Sequence, residues 1–102
     1  MSIEKKYLKS KEVCKVTFVI PSMEFGKPDT AFLVGEFNEW SLDSLPMKKL
    51  KDGSFKLTID LETGREYQFR YLLDGERWEN EGVADKYAYC SFGNCENSVV
   101  QV

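Results

Sequence analysis

Apolar residues in this chain recur at every second position, run after run, and nowhere hold the three-and-four spacing of an amphipathic helix for long. Cys14, Val16, Phe18 and Ile20 alternate with Val13, Lys15, Thr17 and Val19. Phe55, Leu57, Ile59 and Leu61 alternate with Ser54, Lys56, Thr58 and Asp60, and Tyr67, Phe69, Tyr71 and Leu73 alternate with Gln68, Arg70, Leu72 and Asp74. Successive side chains of a strand point to opposite faces, so each run has one apolar face that must be buried against another sheet. Ala31, Leu33, Gly35 and Phe37 form a shorter inward set, and residues 97–102 a last strand. Asp52-Gly53 and Asp74-Gly75 carry the hairpin signature, pairing residues 47–50 with the Phe55 run and returning the Tyr67 run through Arg77 and Trp78. Seven to eight short strands with closely spaced turns predict an all-β chain, an immunoglobulin-like antiparallel β-sandwich. A length of 102 residues allows one domain, with residues 1–11 expected as a flexible or loosely docked N-terminal segment.

Composition then narrows the function. The chain has no histidine, which removes the commonest general base and the commonest zinc ligand. Its net charge of −3 argues against nucleic-acid binding, and no apolar run approaches a membrane span. Three cysteines, Cys14, Cys90 and Cys95, would leave one unpaired in a disulfide framework, which points to a reducing, cytoplasmic setting. Cys90 and Cys95 would make half a zinc site only with help from Asp, Glu or a second chain; packing as small hydrophobes is the expected role. Glu79, Glu81 and Asp85 follow Trp78 as an acidic cluster, but a sandwich this small offers little to wall a glycosidase cleft, and solvent exposure is expected for them. Lys5, Lys6, Lys9 and Lys11 read as ordinary solvated charge. No metal, cofactor or catalytic residue is expected.

Several residues remain once the core is assigned. Trp40 follows Gly35-Glu36-Phe37-Asn38-Glu39 past a strand end, and Trp78 follows the Asp74-Gly75 turn. Arg70 and Gln68 lie on the face opposite the Tyr67/Phe69/Tyr71 set, and Asn94 and Asn97 lie before the last strand. A pyranose offers an apolar C–H face to a flat ring and a rim of hydroxyls to donors and acceptors. Two indoles, a guanidinium and amides on one surface suit such a ligand. Asn38 is expected to brace its own turn, and Phe37 to be core.

At these residues the chain resembles a known family. Leu33-Val34-Gly35-Glu36-Phe37-Asn38-Glu39-Trp40 is similar to the "LxGxFNxW" signature of family 48 carbohydrate-binding modules. These include the early-set domains of isoamylases and branching enzymes and the glycogen-binding domain of the AMP-activated kinase β subunit. The likeness continues through Pro46-Met47, Asp52-Gly53-Ser54-Phe55, Gly64-Arg65-Glu66-Tyr67-Gln68-Phe69-Arg70-Tyr71, Asp74-Gly75-Glu76-Arg77-Trp78 and a closing Phe92-Gly93-Asn94-Cys95-Glu96-Asn97-Ser98-Val99-Val100. The resemblance implies an early-set sandwich and a non-catalytic module for an α-1,4-linked glucan such as glycogen, a maltooligosaccharide or a cyclic glucan. It assigns stacking to Trp40 and Trp78 and hydrogen bonding to Arg70 and Asn97, with Phe92 as an apolar wedge and Gln68 and Asn94 in support. Arg70 replaces the family's lysine, which changes the donor geometry, and one extra residue separates Gly75 from Trp78. The alternative is a module that docks on a glucan-metabolising enzyme or kinase-like partner without holding sugar. Its surface would come from the outward apolar residues Val13, Val19, Leu72 and Val99.

Overall fold

The structure, a computed structural model, describes residues 2–9, 12–89 and 96–102. Among the described residues nine strands run in chain order: β1 Ser2–Tyr7, β2 Val13–Ile20, β3 Ala31–Gly35, β4 Lys48–Lys49, β5 Phe55–Glu62, β6 Glu66–Leu73, β7 Arg77–Glu79, β8 Lys86–Tyr89 and β9 Glu96–Gln101. Among the described residues the only helical pieces are 3₁₀ turns at Glu24–Gly26 and Glu36–Asn38. The strands form two sheets in which every pairing is antiparallel. One has the order β1-β2-β5-β4 and the other β3-β6-β9-β8, with β7 added to the edge of β6 beyond β9. These orders match the ABED and CFG sheets of an immunoglobulin-like sandwich, with β7 and β8 inserted in the connection before the last strand. Tyr67, at the start of β6, donates its hydroxyl to the Glu62 carbonyl 3.1 Å away across the β5–β6 turn. That is the tyrosine corner of the same architecture.

The alternating sets meet between the sheets. Val16, Phe18 and Ile20 of one sheet and Leu33, Phe69, Tyr71 and Leu73 of the other are fully buried. The Phe18 and Phe69 rings meet edge-on at 5.2 Å and Phe69 and Tyr71 at 5.8 Å, with the Phe37 ring 6.2 Å from both Phe18 and Phe69. Aromatic pairs in such geometry add about 1 kcal/mol each beyond the area they bury. Phe37 thus joins the core, as its place in the pattern implies. Cys14 is buried as well, and burial pushes its thiol above the usual range; Cys90 and Cys95 lie outside the described residues. Residues 45–47 hold the two sheets together at one edge. The Leu33 N–H donates to the Leu45 carbonyl at 2.9 Å and the Met47 N–H to the Ala31 carbonyl at 2.8 Å, before the chain crosses to pair as β4 with β5.

The N-terminal segment departs from the sequence expectation. Ser2–Tyr7 is not loosely docked but pairs with β2 along its whole length, Ser2 opposite Val19 and Tyr7 opposite Cys14. Ile3 packs against the core from this strand. Lys5, expected as free solvated charge, turns inward and meets Asp85 at 2.7 Å, tying the first strand to the segment before β8. An inward lysine on an edge strand also discourages edge-to-edge pairing.

Partial burial pushes the Asp85 carboxyl up, but the Gln101 N–H and the Lys5 ammonium outweigh it and hold it below its usual value. A depressed carboxyl stabilises the fold fully above its unfolded pKa of about 3.9, and that contribution disappears as pH falls through the folded value. Asp85→Asn is therefore expected to cost about 1 kcal/mol at pH 7. In urea titrations the gap from the parent protein should close as pH falls toward about 3. A gap that stays constant with pH would deny the carboxylate this role.

Candidate functional site

The outer face of the β3-β6-β9-β8 sheet collects the polar residues that the core leaves over. Residues opposite one another in a ladder share a face, so register alone places Phe32, Leu72 and Trp78 in one row and Gln68, Val99 and Lys86 in another. Between these rows lies Arg70, opposite Val34. Here β6 changes partner. It pairs with β9 up to Phe69 opposite Ser98, and with β7 from Tyr71 opposite Glu79 onward. Arg70 lies at this junction, and Asn97 approaches it one step past the last ladder pair.

The contacts at the junction are short. Arg70 donates from Nε to Asn97 Oδ1 at 2.6 Å, and Asn97 donates from Nδ2 to Gln68 Oε1 at 2.9 Å. Among the described residues the Arg70 Nη groups and Gln68 Nε2 make no hydrogen bond or ion pair, and register puts both side chains on the outer face. Trp78 is the diagonal neighbour of Arg70 across β6, about 7–8 Å away by sheet geometry, and 41% of its surface is exposed. The floor beneath is apolar: Val34, Leu72 and Val99 point outward by register yet are 0%, 4% and 1% exposed.

The aim of Trp78 follows from the turn before it. Leu73 is opposite Arg77, so three residues, Asp74, Gly75 and Glu76, form the loop. Asp74 and Gly75 both adopt positive φ, 52° and 73°, and the Asp74 carboxylate accepts the Asp29 and Thr30 N–H groups at 2.7 and 3.0 Å. A two-residue loop would shift the register by one and place Trp78 opposite Tyr71, on the core face. The three-residue loop absorbs the extra residue and so keeps the indole outward.

Trp40 is held by its backbone. Its N–H donates to the Gly35 carbonyl at 2.8 Å, with φ at 57°. Asn38 braces this turn as expected: Oδ1 accepts the Gly35 N–H at 2.9 Å, and Nδ2 donates to the Leu33 and Ser41 carbonyls and Ser44 Oγ. Glu36 accepts the Gln68 N–H at 2.6 Å, so this turn is fastened to the Gln68 end of the site. Gly35 is opposite Phe69, three residues from Leu72 and so about 10 Å along β6 from the Trp78 row. Of the seven residues singled out from the sequence, Gln68, Arg70, Trp78 and Asn97 share this face, and Trp40 is anchored at its Gln68 end. Phe92 and Asn94 lie outside the described residues.

The structure corrects two readings of the sequence. Glu81 is not solvated but has no exposed surface; its oxygens accept the Tyr71 hydroxyl at 2.7 Å and the Val83 N–H at 3.2 Å. Burial first, and Glu81 second, push the Tyr71 hydroxyl well above its ordinary pKa, which keeps it a donor. Its neighbours in the acidic cluster are committed too, Glu79 to Arg77 at 3.0 Å and Asp85 to Lys5. The apolar docking patch does not form either. Val13 and Val19 lie on the outer face of the β1-β2-β5-β4 sheet, Leu72 and Val99 on the outer face of the other sheet, and the latter pair is buried.

The sequence reading missed Asn80 and Ser98. Asn80 Oδ1 accepts both the Ser98 N–H and hydroxyl, at 3.1 and 2.8 Å. No local pattern marks them, because the partners lie 18 residues apart. A cleft of about 470 Å³ beside the start of β6 is lined by Lys5, Arg65 and Glu66 among others. Its charges are already paired with Asp85, Glu62 and Lys86 respectively, so it competes poorly as a ligand site. Among the described residues no three metal-ligating side chains gather, and no helix is long and apolar enough to cross a membrane.

No protein-family model matches the chain, and the search of curated proteins finds no match.

Proposed function

We propose that this protein is a non-catalytic α-glucan-binding module of the early-set, family 48 kind. The observation that carries the reading is the shared face: Trp78 lies beside an Arg70–Asn97–Gln68 row, with donors left unused among the described residues, over an apolar floor. A glucose ring stacks its C–H face on Trp78 while its hydroxyls accept from Arg70 and Gln68. Trp40, at the other end of the face, takes a further unit of the chain. The sequence resemblance assigns stacking to Trp40 and Trp78, hydrogen bonding to Arg70 and Asn97, and α-1,4-linked chains to the ligand; Asn97 is 7% exposed and spends its amide on Arg70 and Gln68. Binding needs no cofactor. In the acidic cluster after Trp78, Glu81 is buried and Glu79 and Asp85 are bound in ion pairs.

Such a shallow, wet site predicts a Kd for one oligosaccharide on the order of 10 µM to 1 mM. Tight attachment to a glucan particle requires several modules acting together. The test is a titration of intrinsic tryptophan fluorescence with maltoheptaose, with cellohexaose as control. Trp40 and Trp78 are the only tryptophans, so stacking perturbs a large share of the signal. A saturable change for the α-glucan alone is expected. Silence up to about 10 mM maltoheptaose would overturn the reading.

A further inference from the structure

Trp78 and Asn97 stand on different strands, and β7 is only three residues long. A three-residue strand on the edge of β6 does not hold an exposed indole by its own ladder. The residues that follow it, Asn80 and Glu81, instead make contacts to three other strands. Asn80 accepts from Ser98 in β9 through two hydrogen bonds and donates from Nδ2 to the Glu96 carbonyl at 2.9 Å. The Glu81 N–H donates to Ser98 Oγ at 2.8 Å, its side chain accepts from Tyr71 of β6, and its carbonyl accepts the Tyr87 hydroxyl of β8. Ser98 is fully buried and immediately follows Asn97; Glu81 is fully buried three residues past Trp78.

We propose that Asn80 and Glu81 are positioning residues for the candidate site, joining the end of β7 to β6, β8 and β9 and so fixing Trp78 relative to Asn97. The ligand side of this inference rests on the α-glucan reading; the geometric side does not. A glutamate suits the place better than glutamine, because two donors, Tyr71 Oη–H and the Val83 N–H, face its two oxygens and an amide would oppose one of them with its own N–H. Tyr71 belongs to the core face, while Arg70 and Trp78 belong to the outer face. Removing the Tyr71 hydroxyl therefore perturbs the site only through Glu81.

The test has two arms. In a Trp40→Phe background, Trp78 alone fluoresces, and its emission maximum and acrylamide quenching are read without sugar under 295 nm excitation. Tyr71→Phe and Asn80→Ala are each expected to raise the quenching constant at least twofold, and Asn80→Asp, which keeps the acceptor for Ser98 but sets a carboxylate oxygen against the Glu96 carbonyl, to restore only part of the parent value. In the two-tryptophan protein the same Tyr71→Phe and Asn80→Ala changes should weaken maltoheptaose binding at least fivefold while unfolding stays cooperative. Lower melting temperatures with unchanged Trp78 quenching and unchanged affinity would overturn the inference, since a purely structural role gives that result. If the parent protein binds no maltoheptaose, the glucan reading fails alone, and the quenching arm still decides the positioning role. Should Tyr71→Phe fail to fold, Asn80→Ala against Asn80→Asp carries the comparison.

Discussion

Gly35→Ala is expected to destabilise the protein by about 3 kcal/mol, the upper end for overpacking a well-filled interior. In a domain of this size that lowers the melting temperature by roughly 15 °C. The reason is crowding rather than backbone strain, because Gly35 has an extended backbone with φ at −170°. A Cβ there would lie 2.6 Å from the Gln68 carbonyl oxygen, 2.7 Å from the Phe69 Cβ and 2.9 Å from the Phe37 ring. Two of these atoms belong to β6, the strand that carries both the core aromatics and Arg70, and neither is the far end of a flexible side chain. Relief requires β3 to move off β6. Gly64→Ala gives the contrast. Gly64 has φ at 76°, and nothing lies within 4 Å of where an added methyl group would stand. Only the left-handed backbone opposes that change, at about 1 kcal/mol. Urea or thermal unfolding of the two variants separates the causes; equal losses would mean that close packing of β3 on β6 is not what requires Gly35. The Gly35 carbonyl also accepts the Trp40 N–H, so the same variant should disturb the Trp40 end of the site.

The sandwich was legible because strict alternation reports faces directly. The inward sets of β2, β5 and β6 fall where parity puts them, and parity also assigns Gln68 and Arg70 to the opposite face. What alternation does not report is which sheet a face belongs to. Val13 and Leu72 are both outward by parity, yet their strands lie in different sheets, and no local signal separates them. Edge strands were missed for a physical reason. β1 places Lys5 between Ile3 and Tyr7 on its inward side, so its pattern reads as charged, and the lysine becomes intelligible only when Asp85, eighty residues away, is brought to it. β8 is four residues long and mostly exposed, which leaves almost no alternation to read. Glu81 fails similarly: a carboxyl is buried only where donors converge, and these come from Tyr71 ten residues before it and from the backbone of Val83. The sequence placed Trp78 after a turn, but its face depended on whether Glu76 belonged to that loop.

Trp78→Ala is expected to weaken maltoheptaose binding about 30-fold, close to 2 kcal/mol, the scale on which a single exposed indole anchors an interface. The fold should survive, because Trp78 is 41% exposed and its strand is a short edge; the cost is confined to uncovering Leu72, its ladder partner. Trp78→Phe keeps a flat ring of smaller area and should fall between. Arg70 tests the polar half of the site in a different way. Arg70→Ala removes the outward donors and also strips Asn97 Oδ1 of its 2.6 Å partner, which frees the amide to turn. Asn97→Ala removes the same contact from the other side. Residues joined by a hydrogen bond do not act independently, so the double variant should lose about as much affinity as the worse single one rather than the sum. Arg70→Lys retains the charge but has no Nε–H in the guanidinium plane, and should recover little if geometry rather than charge does the work. Additive losses at Arg70 and Asn97 would mean that the two contact the sugar separately, and full rescue by lysine would reduce the arginine to a positive charge. Unchanged affinity in Trp78→Ala, with the titration itself positive, would place the glucan elsewhere on the molecule and leave this face without its assigned ligand.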